Sequence, residues 1–172
     1  MPTTYTKIAT VTVGSGGAAD ITFSSIPATY TDLSLFISTR QPGGANSWSD
    51  LRIRFNGSTT NYTDKLLYGD GSTAASISET DTGIIIRSVN NGVATANTFG
   101  NALIYIPNYT SSNNKSVSID QVTENNATQA LAGLTAGLWS NSAAITSIAF
   151  TPNTAGNFSE YSTATLYGIK NS

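Results

Sequence analysis

The sequence contains no cysteine and no histidine. Without cysteine there is no disulfide and no thiolate metal site, and the redox compartment leaves no mark on the chain. Without histidine the commonest general base is missing, and with both residues gone zinc in its usual ligand sets is excluded. Charge is scarce as well. Charged residues make up 10% of the chain, against about 25% in an average soluble domain. Eight basic and ten acidic residues are scattered singly and form no patch. Nucleic-acid binding depends on clustered Lys and Arg that release counterions, so no nucleic-acid partner is expected. The same scatter gives little attraction to anionic lipid. No run approaches the ~20 apolar residues of a membrane-spanning helix, and no membrane partner is expected. The stretch MPTTYTKIATVTV lacks the charged start and continuous apolar run of an export leader.

What fills the chain is Ser, Thr, Asn and Gly around short β-branched runs. With 172 residues and 39% hydrophobic content, the expectation is one domain spanning 1–172, large enough to bury a core without cross-links. Strand patterns dominate. TYTKIATVTV is rich in β-branched residues, LSLFIST, KSVSIDQVT and EYSTATLYGIK alternate, and LRIRFNGS points Leu51, Ile53 and Phe55 inward with Arg52 and Arg54 outward. Asn56-Gly57 supplies the positive φ angles of a tight turn. QPGGANSWSD and GDGSTAASISETDTG read as polar loops. ALAGLTAGLW has helix-favouring Ala and Leu, but two glycines and its all-β neighbours make it a strand. The predicted fold is all-β: an antiparallel β-sandwich of jelly-roll type with about ten short strands. The chain closes on STATLYGIKNS, a core-type strand, so the first and last strands are expected to sit in the sheets and the module to be the whole protein.

The search for chemistry finds little. There is no G-x-S-x-G nucleophile turn. The G-x-G within VGSGGAAD is followed by strand and reads as a hairpin turn rather than a phosphate cradle. Glu79 and Asp81, with Asp70 ahead of them, offer oxygen ligands for Ca²⁺ or a glycosidase-like acid pair, but no spacing rule supports either. They read as solvated loop charges, and Asp120 and Glu124 as polar strand ends. No catalytic, cofactor-binding or metal residue is assigned, no cofactor is expected, and the chain reads as a non-enzyme. The aromatics are the better candidates. Trp48 in a polar loop and Tyr62, Tyr68 and Tyr109 at strand ends suit either stacking on a sugar face or packing at a core end or subunit interface, where such rings are enriched. Trp139 reads as core or interface.

Several segments resemble a pattern that recurs in structural proteins of tailed bacteriophages: TVGSGGAADITFSSIPATYTDL, LRIRFNGST, IYIPNYTSSNNKSVSIDQVTENNAT, AGLWSNSAAITSIAFTP and the closing strand. The resemblance runs from about Tyr5 to Lys170. Its set of motifs is the corner Ile26 to Leu33, the turn Arg54 to Ser58, and the Leu166 to Ile169 ending. It implies a virion protein, either a small head decoration (cement) protein or a module of a tail fibre. The chain lacks the stalk or anchoring segment of a fibre, which favours decoration. On that resemblance the expected partners are the major capsid protein and two further copies in a homotrimer, with host-surface glycans as the alternative partner. The expected location is the outer surface of the head, with the tail as the alternative. The expected role is to stabilise the assembled head against internal DNA pressure.

Overall fold

The computed structural model describes residues 4–44, 48–124, 126, 130–153 and 156–170, with all their side chains but that of Ser88. The expected domain 1–172 extends past these at both ends, and residues 45–47 of the expected loop Gln41 to Asp50 lie outside them. Twelve strands follow one another: β1 (Tyr5–Thr12), β2 (Ile21–Phe23), β3 (Asp32–Thr39), β4 (Trp48–Phe55), β5 (Tyr62–Gly69) and β6 (Ala74–Asp81), then β7 (Ile84–Asn90), β8 (Gly100–Ile106), β9 (Lys115–Thr123), β10 (Leu131–Trp139), β11 (Ile148–Pro152) and β12 (Thr163–Ile169). All strand pairs are antiparallel. They form an eight-stranded sheet, β1-β12-β3-β8-β9-β10-β5-β6, and a four-stranded sheet, β2-β11-β4-β7. The two sheets pack face to face. The fold is all-β and sandwich-like, as the alternating pattern implies.

Several expectations are corrected. The stretch read as a polar loop after Gly69 contains β6, which pairs with β5 in unbroken register from Tyr62↔Asp81 to Gly69↔Ala74. Its Ala, Ser and Thr residues carry no apolar signal, and it becomes a strand because β5 presents an edge to it. Trp48, expected in a loop, opens β4 opposite Asn90. The glycine-rich VGSGGAAD segment joins β1 to β2, which lie in different sheets, so it is a crossing between sheets and not a hairpin. ALAGLTAGLW does form a strand, and β1 pairs with β12 from Tyr5↔Ile169 to Thr12↔Thr163.

The core lies between the sheets. Leu33, Leu35 and Ile37 of β3 and Ile104 and Ile106 of β8 are buried with Leu51, Ile53 and Phe55 of β4. Each such side chain stabilises the fold by about 1.5–3 kcal/mol relative to exposure. One end is closed by aromatics. Trp139 stacks on Tyr62 with ring centroids 6.0 Å apart, and Phe55 lies 5.6 Å from Trp139. The Tyr62 hydroxyl accepts the Phe55 N–H at 2.8 Å. Gly137 of β10 allows close approach of the sheets, since a Cβ there would come within 2.7 Å of the Ile84 side chain. At the Phe55 end, Asn56 and Gly57 have φ of 53° and 69°. The Asn56 carboxamide then accepts the N–H groups of Thr146 and Ser147 and donates to the Ala144 carbonyl, fixing the approach to β11.

β7 is the open edge of the four-stranded sheet. On that edge two of its N–H groups are met by side chains of the other sheet. Asp64 Oδ2 of β5 accepts from Ile85 at 3.2 Å, and Gln121 Oε1 of β9 accepts from Arg87 at 2.6 Å. Gln121 also donates to Thr135 Oγ1 of β10 at 2.8 Å. The edge is therefore closed by side chains, which blocks further strand addition there.

Tyr62→Phe leaves the buried Phe55 N–H without its acceptor and is expected to cost about 1–3 kcal/mol in urea unfolding. Gly137→Val forces the sheets apart and is expected to cost about 1–3 kcal/mol or more. Unchanged midpoints would refute this view of the closed end.

Candidate functional site

The carboxylates singled out by sequence take part in holding strands together. Glu79 and Asp81 sit on alternate positions of β6, on the side facing the four-stranded sheet. Asp81 Oδ2 pairs with Arg52 of β4 at 3.0 Å, and Glu79 Oε2 pairs with Arg87 of β7 at 2.7 Å. Arg87 also reaches Asp50 of β4 at 2.6 Å. Burial raises the Asp50 carboxyl above its ordinary value, although Arg87 pulls the other way. These pairs tie β6, a strand with few apolar residues, to the opposite sheet. Asp70 forms a local turn, accepting the N–H groups of Ser72 and Thr73, and those bonds hold its carboxyl below its ordinary value. Glu124 accepts the Asn126 N–H. Asp120 is exposed on β9, on the opposite face from Glu79 and Asp81. Among the described residues no group of three or more carboxylates stands close enough to hold a metal ion.

The four aromatics are not brought together. Tyr62 and Tyr109 are fully buried, so of the alternatives packing at a core end describes them and stacking on a sugar does not. Tyr62 packs in the aromatic end of the core, and the Tyr109 hydroxyl donates to the Pro27 carbonyl. Trp48 and Tyr68 are half-buried and lie on different sheets, Trp48 on β4 and Tyr68 on β5. Trp139 is core.

The surface feature that stands out is the outer face of the eight-stranded sheet. On one side of β5, β8, β9 and β10, and of β3, every second residue points away from the core. Strand registry places Leu67, Leu134, Asp120, Leu103 and Phe36 in one cross-strand row. The next row carries Lys65, Ala136, Ser118, Tyr105, Ser34 and Tyr167. Leu67 and Leu134 are 59% and 58% exposed, and Phe36 is 48% exposed. Tyr105 is held in place by donating to Asp32 Oδ2 at 2.8 Å, and that bond raises the pKa of its phenol. Around Leu67, Leu103 and Leu134 lies a shallow depression of about 710 Å³ reaching to β6. Its polar margin is made by Lys65, Ser76, Ser78, Ser118 and Asp120. Beside it, Tyr5, Phe36 and Tyr167 form an aromatic ridge with edge-to-face contacts at 6.2 and 5.6 Å. Exposed apolar side chains clustered in this way are the kind of feature that accompanies contact surfaces and ligand grooves.

The sequence reading passed over this face. A signal for it exists. A half-buried strand should be apolar on one parity only, yet LAGLTAGLW places Leu134 and Leu138 on the parity opposite Leu131 and Trp139. Leu66-Leu67, Leu35-Phe36-Ile37 and Ile104-Tyr105-Ile106 break alternation in the same way.

Asp64 supplies the measurable test of how the strands beneath this face are fixed. Burial raises its carboxyl from 3.8 to about 6. The folded state therefore holds the proton more tightly than the unfolded chain. Its contribution favours folding most below 3.8, and it is lost as pH rises through about 6. Asp64→Asn keeps an acceptor for Ile85 without the charge. Near neutral pH it is expected to be more stable than the native chain by roughly 1–3 kcal/mol, with the difference vanishing near pH 4. Denaturant unfolding across that range checks it, and a less stable variant at neutral pH would contradict it. No known protein-family model matches the chain, and no curated protein matches it.

Proposed function

We propose that this chain is a non-enzymatic structural protein of a tailed-phage particle, a decoration protein that binds the outside of the assembled head as a homotrimer. The observation that carries this reading is the broad outer face of the eight-stranded sheet. Its exposed Leu, Phe and Tyr side chains, with few charges among them, support association with protein, and the homotrimer is the association it is read as serving. The acids that suggested catalysis are spent on strand-to-strand ion pairs, which is a structural use. The sandwich is further read as a jelly roll. Support comes from the strand order: β1-β12-β3-β8 and β2-β11-β4-β7 nest as a rolled-up hairpin, with β5-β6 and β9-β10 added to one sheet. Jelly rolls serve in viral capsids and in lectins alike, so the architecture permits the role without dictating it. The tail-fibre or glycan-binding alternative keeps only Trp48 and Tyr68 of the rings that motivated it.

The physical effect needs no chemistry. A protein that binds the major capsid protein only in the assembled shell stabilises the shell by mass action, about 2.7 kcal/mol per site at a hundredfold excess over Kd. Repetition at symmetry-equivalent positions multiplies the effect against the outward push of packed DNA. Immunogold labelling of intact particles tests the proposal. Gold spread over the heads is expected. Gold confined to the tail would support the fibre alternative, and particles without gold would overturn both.

A further inference from the structure

We propose that the outer face of the eight-stranded sheet is the contact between copies of this chain, with the aromatic ridge of one copy seated in the aliphatic depression of the next. The two halves of the face differ in a complementary way. The ridge of Tyr5, Phe36 and Tyr167 stands on β1, β3 and β12. The depression around Leu67, Leu103 and Leu134 lies over β5, β8 and β10. Phe36 borders the depression at Leu103, its cross-strand neighbour, but Leu134 on the far side lies three strand spacings away, about 14 Å across a rigid sheet. The ridge therefore cannot fill its own molecule's depression, but another copy brings one at equal concentration.

Area and charge point the same way. Seven large apolar side chains of this face are between 37 and 59% exposed. Covering them is on the scale of a standard interface, about 800 Å² per partner. Lys7 is the cross-strand partner of Tyr167 on the ridge, and Asp120 lies between Leu134 and Leu103 at the depression. Ridge into depression brings these opposite charges to one contact, whereas ridge on ridge sets like charge against like. Lys65 stands on the β6 side of the same margin, two strands from Asp120, and its ammonium donates to Ser78. A two-fold pair and a closed three-fold ring both satisfy the contact, and the measured mass tells them apart.

The proposal rests on the homotrimer part of the decoration reading, and the test uses the full chain alone, without particles, so its outcome is separable from whether the protein sits on the head. Native mass is measured by light scattering over a range of concentrations, with circular dichroism as the check on folding. The native chain is expected to associate. Phe36→Glu and Leu134→Lys, both at exposed positions, are each expected to weaken association roughly tenfold or more. The double variant is expected to regain it, because the carboxylate introduced on the ridge of one copy then meets the ammonium introduced in the depression of the next. A native chain that stays monomeric, single variants with native mass, or a double variant that does not recover would each overturn the proposal.

Discussion

The edge of β7 is held by side chains from the opposite sheet, and much of the molecule follows from that contact. Asp64 and Gln121 accept its free N–H groups, and Arg87 of β7 reaches across to Glu79 of β6. The residues that do this sit on one parity of β5, β6 and β9. In a strand the other parity must face the other way. Fixing Asp64 and Leu66 inward therefore fixes Lys65 and Leu67 outward, and fixing Gln121 inward fixes Asp120 and Val122 outward. A slip of one residue would put the acceptors in water and bury Lys65 and Asp120. The polar lock on β7 and the apolar outer face are thus two consequences of one register.

This arrangement also explains why the sheets have unequal width. The four-stranded sheet covers only part of the eight-stranded one. β6 has too few apolar residues to pack by itself, and Arg52 and Arg87 hold it against the smaller sheet. Partly buried pairs of this kind contribute little net stability when compared with hydrophobic contacts, and here they act on position more than on energy. The side of the larger sheet that looks away from the core is left with Leu, Phe and Tyr side chains that nothing in the described chain covers.

Much of the fold was legible because burial imposes period-2 alternation. β9 reads as buried and exposed residues in strict alternation, and β8 does the same. Strand-like sequence at both ends placed β1 and β12 in the sheets, and the structure adds that they pair with each other. β6 was not legible, since a strand recruited by its neighbour's edge needs no apolar face of its own. The buried positions of Tyr62 and Tyr109 were not legible either. A tyrosine at a strand end suits a core end or a surface equally, and only the hydroxyl partners, Phe55 and Pro27, separate the two. The outer face was written in the sequence as broken alternation, but the same break also marks strands buried on both sides, so sheet order was needed to read it as surface.

The central claim is that this outer face is the working part of the molecule. Photo-crosslinking of the native assembly tests it most directly. A photoreactive side chain at position 134, in the depression, is compared with one at Thr22, an exposed position on the four-stranded sheet. Adducts to another chain from position 134 and none from position 22 are predicted. The opposite pattern would show that the smaller sheet makes the contacts and would contradict the claim.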